Sequence, residues 1–170
     1  EKYLLSKTLS ENKRLFIIRP CMIHGPGNKG NLNLLYKIVE KNIPWPLASF
    51  ENQRSFLSID NLNFLIGKIL NNKEITSGIY NFADDKTLST KDLIALIAKT
   101  IGKKNIFLNI NSNFIKKVAK IGDKIHLPLN SERLKKLTES YVVSNKKIKF
   151  ALKLEKLPIT AEQGLEKTIK

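Results

Sequence analysis

The sequence holds a single cysteine, Cys21, so no disulfide can close within it. Such sparing use of cysteine suits a reducing cytoplasm, where we expect the protein to reside. Two histidines and one cysteine do not make up a metal site. No apolar run approaches the length of a membrane span, and no secretory signal opens the chain. Acidic residues are also scarce: 15 Asp and Glu face 30 Lys and Arg, for a net charge of +15. That excess raises the question of a nucleic-acid or membrane-surface partner. The lysines are scattered and no basic run is long, so a solvated basic surface is the simpler reading and no nucleic acid is expected. Lys, Asn and Ile are all heavily used, which points to a compositional bias in the genome.

What is present is enough for a packed core. With 170 residues and 42% apolar side chains the chain is globular rather than disordered. Its informative stretch runs from Arg19 to Asn31, after the apolar run Leu15-Phe16-Ile17-Ile18 and before an amphipathic segment from Leu32 to Val39. A strand ends in a Gly/Pro-rich loop and the loop opens a helix over 32–42. In open α/β sheets ligands bind beyond the carboxyl ends of strands. Gly25, Gly27 and Gly30 permit tight turns and close approach, and a helix N-terminus near Asn31 suits an anion. A plain connecting loop, with Asn31 as an ordinary N-cap, is the other reading.

Three stretches carry a resemblance. Arg19-Pro20 with Ile23-His24-Gly25-Pro26-Gly27 resembles the Arg-Pro-x-x-Val-Tyr-Gly-Pro-Gly of extended short-chain dehydrogenases/reductases, the NAD-dependent sugar-nucleotide epimerases, dehydratases and reductases. Asn52-Gln53-Arg54-Ser55-Phe56-Leu57-Ser58-Ile59-Asp60-Asn61-Leu62 and Gly78-Ile79-Tyr80-Asn81-Phe82-Ala83-Asp84 resemble two further motifs of that family, in the same order. The flavour is that of bacterial enzymes acting on UDP-N-acetylhexosamines in surface-polysaccharide synthesis. The resemblance implies an α/β chain: the C-terminal portion of a Rossmann-fold enzyme, with the last Rossmann elements and a small substrate-binding domain. Residues 1–42 would end the Rossmann domain, and 43–170 would mainly form the substrate domain, with some elements returning to the sheet. No Gly-x-x-Gly-x-x-Gly turn follows an N-terminal strand, so NAD or NADP would be held mainly by a preceding half. We therefore expect the chain to be a piece of a larger enzyme and inactive alone. Dimers are common in the family, through helices largely ahead of this chain.

Tyr3-Leu4-Leu5-Ser6-Lys7 matches the family's catalytic Tyr-x-x-x-Lys. On a helix, residues four apart share a face, and a lysine beside a phenol lowers its pKa for proton exchange with a sugar hydroxyl. Lys7 nevertheless stands close before Pro20, where the family has a longer helix. The favoured reading makes Tyr3 and Lys7 a decoy in the later part of that helix, ending near Asn12; the other makes them the acid/base pair on a shortened one.

By resemblance, Pro20, Cys21 and Met22 pass the nicotinamide. Many relatives carry a substrate-binding Asn where Met22 stands, and methionine cannot make those hydrogen bonds. His24 replaces the usual Tyr near the substrate, with a satisfied structural histidine as the alternative. Asn31, Arg54 and, by a looser match, Arg133 would hold the UDP-sugar diphosphate; a guanidinium's planar fork of donors suits phosphate oxygens. Trp45, Leu47 and Phe50 are candidates for packing on uracil, with plain core packing the alternative. An anionic substrate would account for part of the positive charge.

Elsewhere, Asp60 is expected to cap a helix over 61–70, and Ser89 with Asp92, and Thr160 with Gln163, read as capping boxes. A short strand is expected over 106–110. The segment 113–121 reads as a basic amphipathic helix with Phe114, Ile115, Val118 and Ile121 facing the core; the alternative lays it on an anionic membrane. An inactive remnant or binding module and, lower, a basic nucleic-acid-binding protein are the competing functions.

Overall fold

The apolar run Phe16–Pro20 becomes strand β1, and its parallel neighbour is β4 (Gly78–Phe82), in register from Phe16 opposite Gly78 to Pro20 opposite Phe82. The computed structural model describes residues 1–28, 31–125 and 130–169, with only the backbone of Asn31. After Cys21 the chain continues as β2 (Met22–His24), parallel to β3 (Phe56–Ser58). Parallel pairs need long crossovers, which here carry helices. α2 (Asn31–Glu40) lies between β2 and β3, and α3 (Ile59–Asn71) between β3 and β4. The result is a mixed α/β, partial Rossmann-type fold.

The chain divides into two compact units that alternate along the sequence. Unit 1 comprises residues 1–25, 55–86 and 143–165, and unit 2 comprises 26–54, 87–142 and 166–170. Unit 1 contains all four strands found among the described residues. Its core gathers Leu57 from β3, Leu65 and Ile69 from α3, Tyr80 and Phe82 from β4, and Ile148 from α7 (Lys146–Ala151). Unit 2 packs α2 against α4 (Thr90–Thr100), with Leu32, Leu35 and Val39 meeting a face that includes Leu93, Ile94 and Ile97. These are helical spacings, so each helix buries one stripe. α5 (Ser112–Ile125) packs on α6 (Ser131–Thr138), and α8 (Ala161–Ile169) closes the chain. The first division between the compact units falls after Gly25, and α2 packs on α4 within unit 2.

Local capping largely follows the sequence. Ser89 and Asp92 form a reciprocal box at α4, and Thr160 and Gln163 do so before α8. At α3 the cap is Ser58, which accepts from the Asn61 N–H at 3.2 Å, and Asp60 lies inside the first turn. The expected helix to Asn12 stops early: α1 spans only Lys2–Leu5 and buries nothing, so no packed face sustains it. The stretch 106–110 makes isolated bridges rather than a strand, Phe107 with Trp45 and Asn109 with Leu47. In α5 the buried residues are Ile115, Ala119 and Gly122, whereas Phe114 and Ile121 are exposed. Small residues let a neighbouring helix approach closely, and that chose the buried side.

Candidate functional site

The loop after β2 turns at Gly27, whose φ of 77° favours glycine. Gly25 is needed for space: a Cβ there would lie 2.8 Å from Ile59 Cγ2. Gly30 lies outside the described residues, as does the side chain of Asn31, whose backbone begins α2. Within unit 2 the loop and α2 edge a cleft of about 290 Å³ lined by residues that include Gly27, Asn28, Asn33, Tyr36 and Thr168.

Arg54 is held by its own backbone and by its neighbours. Its N–H donates to the Leu88 carbonyl and its carbonyl accepts from the Leu88 N–H, both at 2.9 Å. Before it, the buried Asn52 side chain donates to Thr90 Oγ1 and the Leu137 carbonyl and accepts from the Thr90 N–H. Asn52 thereby ties the turn to the start of α4 and the end of α6. The Arg54 guanidinium is half-buried. One terminal nitrogen donates to the Lys136 carbonyl in the last turn of α6, and its buried Nε has no partner among the described residues. Burial lowers the Arg54 pKa, and Glu139 offsets part of that effect. An orphaned buried donor costs about 1–3 kcal/mol, which an acceptor reaching it would recover. Arg133, exposed in the first turn of α6, lies three positions before Lys136 and so on a neighbouring part of the same helical face.

The apolar candidates separate. Trp45 and Leu47 are each 4% exposed and belong to the packing of unit 2. Phe50 is half-buried and lines a cleft of about 360 Å³ with Asn52, Gln53, Ser89, Lys91 and Ser140.

In unit 1 the expected cofactor residues sit at the end of β1. Pro20 is exposed, Met22 half-buried and Cys21 buried, with the Cys21 N–H donating to the Phe82 carbonyl at 3.0 Å. Burial, aided by Asp84, pushes the Cys21 thiol up to about 12, so it stays protonated and unreactive at neutral pH. Tyr3 is 70% exposed; α1 ends before Lys7, whose ammonium rests over the Tyr3 ring, 4.5 Å from its centroid.

His24 sits in a network that sequence reasoning missed. Its ring is buried in unit 1, with Nε2 3.7 Å from Asp84 Oδ2 and its edge toward Phe56. Asp84 accepts from the Ser58 N–H at 3.2 Å and from Asn61 Nδ2 at 2.7 Å. Asn61 also donates to the Ile159 carbonyl and accepts from the Ile159 N–H. The available signal was Asn61 itself, in the Asp-Asn pair of the second motif, and Asp84, just beyond a strand's C-terminal end. Among the described residues, no group of three or more His, Cys, Asp or Glu is placed to hold a metal ion. No helix there is long and apolar enough to cross a membrane.

No family model matches the chain. Over 104 residues it is 32% identical to UDP-glucose 4-epimerase of Vibrio cholerae, covering 61% of this chain and 32% of that protein. Among solved structures it is similar to UDP-N-acetylglucosamine 4-epimerase from Bacillus cereus (TM-score 0.63, 16% identity, 92% of this chain and 47% of that one). It is similar also to UDP-glucose 4-epimerase of Thermus thermophilus in complex with NAD (TM-score 0.63, 17% identity, 99% and 49%). A Bordetella bronchiseptica enzyme in complex with NAD and UDP gives a TM-score of 0.61 at 12% identity, over 93% and 43%. The chain thus spans between about a third and a half of the proteins it matches. These likenesses, in sequence and in fold, are those of a C-terminal part of an extended short-chain dehydrogenase/reductase of the NAD-dependent epimerase/dehydratase family.

Proposed function

We propose that this chain is the substrate-binding half of a cytoplasmic nucleotide-sugar epimerase, reductase or dehydratase. Its substrate is a UDP-hexose or UDP-N-acetylhexosamine and its cofactor NAD or NADP. Unit 2 provides the substrate-binding part and unit 1 the last Rossmann elements. Arg54 carries the reading: a half-buried guanidinium with an unused buried donor is built to receive a diphosphate oxygen. Arg133 supplies a second cation from α6, and the start of α2 at Asn31 supplies backbone N–H groups. Phe50 offers an apolar wall for the base, whereas Leu47 supports it from within the packing.

The cofactor fits this chain only in part. Pro20 and Met22 present an apolar rim, and the sequence contains no glycine-rich pyrophosphate turn. When bound, the nicotinamide supplies hydride acceptance and donation. The chain's own residues bind and orient: remote binding energy from the diphosphate clamp fixes the sugar, and His24 with Asp84 keeps the loop after β2 in place. Titrating the full-length protein with UDP tests the reading. Arg54→Ala should weaken binding by about 2–5 kcal/mol, the usual cost of stripping one partner from a buried charge pair. An unchanged affinity removes Arg54 from the site.

A further inference from the structure

We propose that α5 is a docking surface for an anionic phospholipid membrane. Phe114, Val118, Ile121 and Ile125 follow one another at steps of four, three and four residues, which places them within a narrow stripe on a helix turning 100° per residue. This stripe is not the buried side. Ile115, Ala119 and Gly122 face inward, whereas Phe114 is 60%, Ile121 57% and Ile125 60% exposed. Other strongly exposed apolar residues, such as Leu70 and Phe150, are not arrayed in this way along one helix, and isolated examples are ordinary on protein surfaces.

Charge identifies the occupant. α5 carries Lys116, Lys117, Lys120 and Lys124 against the single acid Asp123, and all four lysines are exposed. Lys117 and Lys124 border the stripe on the side away from the buried face, with Lys120 and Lys116 beyond them. Asp123 points its carboxylate at the N–H and hydroxyl of Ser131, and Glu132 on α6 is paired with Lys136. The lysines therefore face outward unneutralised by these acids. In a symmetric pair of chains, apolar stripes in contact would bring two lysine rows together, which charge repulsion opposes. A negatively charged lipid surface takes the apolar stripe at the headgroup boundary while long lysine stems reach the phosphates. At 14 residues α5 is too short to span a bilayer, so it lies on the surface.

The test is co-sedimentation of the full-length protein with vesicles of phosphatidylcholine alone and of phosphatidylcholine mixed with phosphatidylglycerol. Binding to the mixed vesicles only is expected, weakening as salt is raised. The pair Phe114→Ser and Ile121→Ser should lower that binding at least about tenfold, with the thermal midpoint and UDP affinity unchanged. A second pair, Lys117→Gln and Lys124→Gln, should weaken binding while leaving the apolar stripe intact. No binding to either vesicle, equal binding to both, or mixed-vesicle binding that both pairs retain overturns the proposal. So does concentration-dependent self-association abolished by Phe114→Ser, which would assign the face to a second copy.

Discussion

A buried carboxyl and a half-buried guanidinium are treated in opposite ways in this molecule. Asp84 in unit 1 accepts from two donors, the Ser58 N–H and Asn61 Nδ2, and His24 Nε2 stands 3.7 Å from it. Arg54 in unit 2 spends one nitrogen on the Lys136 carbonyl and keeps its Nε without a partner among the described residues. A saturated charge has nothing left to offer a ligand, whereas an unsaturated one carries a penalty that a ligand can relieve. The contrast supports the proposal that Arg54, rather than Asp84, serves binding, although both sit beside family-like motifs.

The sharpest way to break the contrast is Asp84→Ala in the full-length protein. It strips the acceptor from two buried donors and should cost about 2–6 kcal/mol of stability, at about 1–3 kcal/mol for each orphaned donor. A loss under about 1 kcal/mol in urea unfolding would show that the network is dispensable. Arg54→Ala should do the reverse: the drop in UDP affinity given above, with stability held within about 1 kcal/mol, so that a large fall in the unfolding midpoint would make Arg54 structural too. Gly164→Ala probes the packing around the saturated site. A Cβ there would lie 2.6 Å from Ser58 Cβ and 3.2 Å from His24 Cε1, and overpacking of this kind costs about 1–3 kcal/mol. Unchanged stability would mean that the site yields easily.

The smallest effect belongs to Asp85. Burial raises its pKa, but hydrogen bonds from Lys149, the Leu157 N–H and Asn145 outweigh that and hold it below the ordinary carboxylate value. A depressed folded value contributes stability that is complete above the unfolded pKa and fades as pH falls through the folded one. Asp85→Asn should therefore flatten the acid limb of the stability profile, by under about 1 kcal/mol at this partly exposed site. An acid limb identical to the parent's would exclude Asp85 as its source.

What the sequence disclosed was local. The capping boxes at Ser89 and Thr160 need residues only three apart, and both formed. Arg54 stands out in the sequence because a motif surrounds it, and its role in binding is the proposal made above. The sequence points to Asp60 as the cap, a residue type that suits that position as serine also does, and the path of β3 into α3 puts Ser58 there instead. The buried network was out of reach. Asn61 meets Ile159 98 positions away, and a single sequence does not encode such a meeting as a pattern. For α5, the pattern of large apolar residues pointed to one side, while the side that is buried carries Ile115, Ala119 and Gly122.

The order in which unit 1 is strung along the chain also matters during synthesis. β1 leaves the ribosome long before β4, and His24 before Asp84 and Gly164. At about 5–20 residues per second, the stretch from His24 to Gly164 takes on the order of 10 s to appear. Within that interval β2 waits only for β3 and β1 only for β4, so their edges can pair well before Gly164 arrives to close the packing on His24.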